Sequence, residues 1–142
     1  MTGYIEAAVS EGSNIIVFPE MGLTGYDDEE DKPKPEKIQY KLAETVPGKS
    51  SEVIAELTKK LGIYAVFGLP ERDPDDESKI YNAACVCGPD GIVGSYHKIH
   101  LPYPEPHWAS RGTAPFIFDT EWGPIGLGIC YDTYSFPELM RY

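Results

Sequence analysis

Two apolar runs rich in β-branched residues, Asn14-Ile15-Ile16-Val17-Phe18 and residues 63–69, bracket a segment in which Val53, Ile54, Leu57 and Leu61 recur at helical spacing. A helix between two buried strands is a βαβ unit, with parallel strands, a right-handed crossover and the helix over one face of the sheet. The chain is therefore α/β. Ser50 or Ser51 is suited to cap this helix and Gly62 to stop it. Ahead of it, Ile5, Ala8 and Val9 share one helical face and Gly12 is a natural stop, so the opening dozen residues read as a short helix.

What stands at the ends of the strands matters next. Proline cannot donate to a sheet ladder, so the first strand stops at Pro19 and leaves Glu20 at its carboxyl end, where ligands sit in open α/β sheets. Residues 21–26 read as a turn and 27–35 as a long surface loop. Beyond the second strand, runs 81–87 and 92–96 flank Gly88-Pro89-Asp90-Gly91, which is hairpin turn chemistry. Residues 116–119 and 124–130 form another strand pair around Glu121-Trp122-Gly123. In its second member, Ile125-Gly126-Leu127-Gly128-Ile129-Cys130, the two glycines predict close approach of another backbone. Cys130 then stands on a turn before a helix that Pro137 and Glu138 are suited to open. A helix N-terminus or a nearby cation favours the thiolate of a cysteine whose free pKa is about 8.5, so the position suits a nucleophile. It is also the position of a small buried apolar residue, the commonest fate of a free cysteine.

Composition removes several function classes. A chain of 142 residues is one domain's worth, and a net charge of −11 from 23 acids and 12 bases, with no basic cluster, excludes nucleic acid and anionic membranes as expected partners. The acids gather in runs at 27–31 and 73–77, which read as solvated loops. Three cysteines without regular spacing do not make a disulfide framework. No run is long enough to cross a bilayer and the first residues are unlike a signal peptide, so a cytoplasmic location is expected.

Lys98, directly after the hairpin, joins Glu20 and Cys130 as a third candidate. Either charged residue alone is more often a solvated rim residue than a catalyst. His97 and His100 flank Lys98, but no third ligand is spaced near them, so no metal is expected. Cys85 and Cys87 alternate on one strand face and read as core. Taken together, a carboxylate, an ammonium and a thiol meet the needs of acyl transfer: a nucleophile, a group that takes and returns its proton, and a cation for charge developing on oxygen. A lysine between two anions keeps its proton at neutral pH.

Val17-Phe18-Pro19-Glu20, His97-Lys98-Ile99-His100-Leu101 and Gly128-Ile129-Cys130-Tyr131-Asp132, in that order, resemble the three signature blocks of the nitrilase superfamily of carbon-nitrogen hydrolases. Leu23-Thr24-Gly25-Tyr26, the stretch from Tyr81-Asn82-Ala83-Ala84 to Gly88-Pro89-Asp90-Gly91, and Phe136-Pro137-Glu138 with Arg141 extend the likeness over nearly the whole chain. The resemblance implies Cys130 as nucleophile, Glu20 as general base and acid, and Lys98 with the Tyr131 backbone N–H as stabilisers of a tetrahedral oxyanion. It further implies Glu105, in Glu105-Pro106-His107-Trp108-Ala109-Ser110-Arg111-Gly112, as the acid that positions the leaving nitrogen and the lysine. Tyr131, Trp108 and Tyr26 are the implied substrate contacts. Arg111 and Ala109 depart from the family's usual proline and aromatic residue, so the pocket wall beside Glu105 differs. Cys130-Tyr131-Asp132 is similar to amidases and carbamoylases, whereas nitrilases tend toward Cys-Trp-Glu. The implied reaction is hydrolysis of an amide through a thioester without metal or organic cofactor. Nitrile or N-carbamoyl hydrolysis by the same machinery, or an inactive fragment, are the alternatives.

The resemblance implies an α-β-β-α sandwich, of which residues 1–142 are a single truncated domain lacking the first strand and the C-terminal half. The strand bearing Cys130 is then expected to show an unpaired edge and exposed apolar surface. Longer members suggest a homo-oligomer, and the loops at 26–36 and 102–113 are the expected seat of specificity.

Overall fold

Residues 1–27 and 31–135 are described by the structure, a computed structural model. The opening helix α1 spans Thr2–Ser10 and the first strand β1 spans Ile15–Val17. After a 3-10 turn at Lys34–Glu36 come α2, Ile38–Leu42, and α3, Lys49–Leu61. Strands β2 (Tyr64–Arg72), β3 (Ile80–Gly88) and β4 (Gly91–His97) follow. A 3-10 turn at Glu105–His107 leads to β5 (Ile117–Thr120), β6 (Gly123–Gly126) and α4 (Asp132–Ser135).

The βαβ unit is present: β1 pairs parallel with β2, with α3 in the crossover. The sheet order is β1-β2-β3-β4, with β2–β3 and β3–β4 antiparallel, and β5–β6 form a separate antiparallel pair. Alternation along the central strands explains the layering. Ala65, Phe67, Leu69, Ala83, Cys85 and Cys87 pack with Ile5, Ile54 and Ala55 of the helices. On the opposite face Val66, Ala84 and Val86 pack with Tyr96, Phe118 and Ile129. Covered on both sides, β2 and β3 need apolar residues at nearly every position. The layers run helices, four-stranded sheet, second sheet.

Several expectations are corrected. The N-cap of α3 is Gly48, and Ser51 Oγ accepts the Gly48 N–H at 2.8 Å from inside the first turn. Val53 is exposed, so the buried stripe of α3 runs through Ile54, Ala55 and Thr58. The first strand is an edge strand rather than a buried one, and Val17 is 70% exposed. In the loop expected at 27–35 only Lys34 and Pro35, among the described residues, depart, entering the 3-10 turn, and beyond it stands α2, a helix not anticipated, whose buried polar Gln39 hides its signal. Strand pairing in the second sheet stops at Gly126 rather than reaching Cys130. The nearest atom to a side chain built at Gly126 is Ile117 Cγ1 at 3.9 Å, so no backbone crowds that glycine. The acids at 28–30, and Phe136, Pro137, Glu138 and Arg141, lie outside the described residues.

Candidate active site

Glu20 is placed by the end of β1. Phe18 N–H still donates to Val66 C=O at 2.8 Å, after which the chain turns and Leu23 N–H donates to Gly68 C=O at 3.0 Å. The turn lies so close to β2 that a Cβ on Gly68 would meet Pro19 O at 2.7 Å and Glu20 C at 2.9 Å. Met21, next in the chain, is buried with φ 52°, a conformation bulky side chains seldom adopt.

Lys98 continues the β3–β4 ladder by one residue. Its N–H donates to Asn82 C=O at 2.8 Å and its C=O accepts from Gly112 N–H at 2.9 Å. The side chain has no exposed surface, and its Nζ donates to Glu20 Oε1 at 2.6 Å and Glu105 Oε1 at 2.7 Å. Glu105, at the head of its 3-10 turn, is buried as well. Asn82 Nδ2 lies 2.7 Å from Glu20 Oε1, 3.2 Å from Glu105 Oε2 and 3.3 Å from Tyr26 Oη. One ammonium and one neutral amide thus bridge the same two carboxylates.

Cys130 stands at the mouth of a cavity of about 140 Å³ that Glu20, Phe18, Val66, Ala84 and Ile129 also line. It is exposed, with φ 46°. Among the described residues the non-glycine positions with positive φ are Met21 and Cys130, so the unfavourable backbone conformations fall where two candidate catalytic groups are aimed. Asp132 fastens the Cys130 turn to the Lys98 segment. Its buried Oδ2 accepts from Tyr96 Oη–H at 2.7 Å and Ile129 N–H at 3.1 Å, while Oδ1 accepts from His100 N–H at 2.8 Å and lies 2.9 Å from His100 Nδ1.

Burial alone pushes Glu20 upward, but hydrogen bonds from Lys98, Tyr26 and Asn82 overcome it and hold the carboxyl below its usual range. In Glu105 burial prevails over Lys98, and its pKa is raised. Burial opposes the charge on Lys98, yet its bonds to Glu105 and Glu20 raise its pKa. The Cys130 thiol is raised by burial and by the Glu20 charge, against the pull of Lys98. That corrects the expectation of a thiolate favoured by a helix end: burial comes first, and the Glu20 charge outweighs that of Lys98. The resting arrangement is a protonated thiol beside an ionised glutamate, ready for proton transfer on attack.

The structure brings Glu20, Lys98, Glu105 and Cys130 together from four parts of the chain. Tyr26 joins them through its hydroxyl, 3.5 Å from Glu105 Oε1. Tyr131 is exposed beside Cys130 and stacks with Tyr134. Trp108 is only 2% exposed and packs with Met21, Ile80, Leu101 and Ala109. His97 and His100 face Glu71 and Asp132 respectively, and no group of three or more His, Cys, Asp or Glu among the described residues could hold a metal ion. Sequence reasoning missed Gly68, Asn82 and Asp132 as parts of the site. The glycine inside an apolar strand run was the available signal for the first.

Residues 1–142 match the carbon-nitrogen hydrolase family. The chain is 34% identical over 139 residues to a nitrilase of Pyrococcus abyssi, matching 96% of this chain and 50% of that protein. It is 34% identical over 149 residues to the omega-amidase of Homo sapiens, matching 97% of this chain and 50% of the relative. Among solved structures, a carbon-nitrogen hydrolase from Helicobacter pylori G27 superposes with a TM-score of 0.82 at 25% identity, over 99% of this chain and 47% of that one. The chain spans about half the length of these relatives.

Proposed function

The chain belongs to the carbon-nitrogen hydrolase family, and from that premise we propose that residues 1–142 are a single truncated carbon-nitrogen hydrolase domain whose machinery hydrolyses a small linear amide through a thioester on Cys130. The observation that carries the reading is the Lys98 ammonium held between Glu20 and Glu105, with Glu20 and Cys130 lining one cavity. Glu20 takes the thiol proton as sulfur attacks the amide carbon. Lys98 and the Tyr131 N–H stabilise the negative charge that gathers on the carbonyl oxygen. When the C–N bond breaks, Glu20 returns the proton to the departing nitrogen, which leaves as ammonia or an amine. Water then attacks the thioester while Glu20 accepts its proton, and the acid departs as the thiol re-forms. Glu105 holds Lys98 and orients the leaving nitrogen. An amide is favoured over a nitrile by the Cys130-Tyr131-Asp132 sequence, and Tyr26 and Tyr131 are the proposed substrate contacts.

Ammonia release from a panel of small amides, carbamoyl compounds and matched nitriles tests the proposal. The expected outcome is release from an amide, a thioester on Cys130 seen by mass spectrometry, and a Cys130→Ala variant that is silent. A thiol-directed reagent should label Cys130 ahead of Cys85 and Cys87, which are fully buried. Turnover undiminished in Cys130→Ala overturns the mechanism.

A further inference from the structure

Asn82 has no exposed surface, and its side chain makes contacts that packing alone does not demand. The amide nitrogen reaches Glu20 Oε1 at 2.7 Å and Glu105 Oε2 at 3.2 Å, while its Oδ1 is buried with no hydrogen-bond partner. The reverse orientation would set the amide oxygen against two carboxylates, which have no proton to give. The donor orientation is therefore dictated by the acids, despite leaving an acceptor unsatisfied inside the protein. The main chain of the same residue accepts the Lys98 N–H at 2.8 Å. One residue thus fixes the backbone of the lysine and the side chains of both its partners.

The charges supply the reason. Lys98 offers one positive charge to two carboxylates, and in a buried site the excess negative charge opposes ionisation of both acids. A second cation would overpay by tying up Glu20, whose basicity the reaction needs. A neutral amide donates to both acids without adding charge. We infer that Asn82 is a positioning residue, holding Glu20 and Glu105 about Lys98 so that Glu20 stays ionised and aimed toward Cys130. Its effect on turnover rests on the hydrolysis proposed above, whereas its effect on the two acids does not.

Two measurements test this. In the unmodified chain, the side-chain 15N–1H resonances of Asn82 should shift with pH in step with the carboxyl 13C titrations of Glu20 and Glu105; resonances that stay flat while those acids titrate overturn the inference. Asn82→Asp keeps the size but replaces the donor with a third acid. Its kcat/KM at neutral pH should fall by about 100-fold or more, the scale of a lost general base, and the acid limb of its pH profile should move to higher pH. A fall equal at every pH is what a purely structural residue would give, and it overturns the inference. If Asn82→Asp does not fold, the titration of the unmodified chain decides alone. If that chain hydrolyses no amide, the proposed function fails while the titration still decides the role of Asn82.

Discussion

Glu20 bears on the proton affinity of Cys130, and the direction of that effect is open to test. Burial and the Glu20 charge raise the thiol, while hydrogen bonds from Lys98, Tyr26 and Asn82 hold Glu20 low. Between the two pKa values the pair rests as thiol and carboxylate. Falling pH removes the base only below the usual carboxylate range, and the first proton goes to Glu105, whose pKa is raised. Glu20→Gln removes the charge that opposes the thiolate. It should lower hydrolysis by about 10²–10⁴-fold, as loss of a general base does, while speeding alkylation of Cys130 by iodoacetamide at pH 7–8, since the thiolate is the reacting form. Slower alkylation in this variant would show that Glu20 does not raise the thiol.

At the scale of elements, the site depends on how closely the turn after β1 lies over β2. Gly68 permits that approach, because any side chain there runs into the backbone of Pro19 and Glu20 and, nearer still, the Met21 amide nitrogen. Backbone cannot swing aside as a side-chain tip can. Gly68→Ala is expected to cost roughly 1–3 kcal/mol in urea unfolding, the range for overpacking, and to lower hydrolysis further than the folded fraction explains. Gly3→Ala in α1 is the control, since nothing lies within 4 Å of its added Cβ; it should gain roughly 0.5–1 kcal/mol from helix formation. Equal effects from the two changes would mean that the close approach over Gly68 does not hold the turn.

Across the whole molecule, the four-stranded sheet and the Cys130 segment are joined by an apolar contact and a polar one. Phe118 and Ile129 pack on Val66, Ala84, Val86 and Tyr96. Asp132 accepts from Tyr96 and His100 on one side of the join and Ile129 on the other. Asp132→Asn would turn an N–H toward groups that are themselves donors. Loss of hydrogen bonds to a charged acceptor predicts a destabilisation of roughly 1.5–3 kcal/mol, read by chemical denaturation. Hydrolysis should also fall under conditions where the variant is still folded, because the turn carrying the sulfur is no longer fastened beside Lys98. Full activity in a folded Asp132→Asn protein would refute that link. The outer surface retains exposed Val17, Ile117, Trp122 and Tyr134, in a chain that spans about half the length of its relatives.

The amino-acid sequence by itself determined the βαβ unit, the hairpin at Gly88-Pro89-Asp90-Gly91 and the candidate positions Glu20, Lys98 and Cys130, while Glu105 came only from the family resemblance. Each is written locally: in periodicity, in a proline that ends a strand, in turn formers, or in a short block of side chains. The folded chain decided matters that depend on residues far apart. The lysine lies between two acids 78 and 7 residues away, the thiol is raised rather than lowered, and Trp108 is walled into the core. Asn82 and Asp132 gained their roles the same way. Buried in a strand and at a helix start, they show in one dimension only as members of family-like blocks, and three-dimensional packing reveals which donors and acceptors they meet once water is excluded.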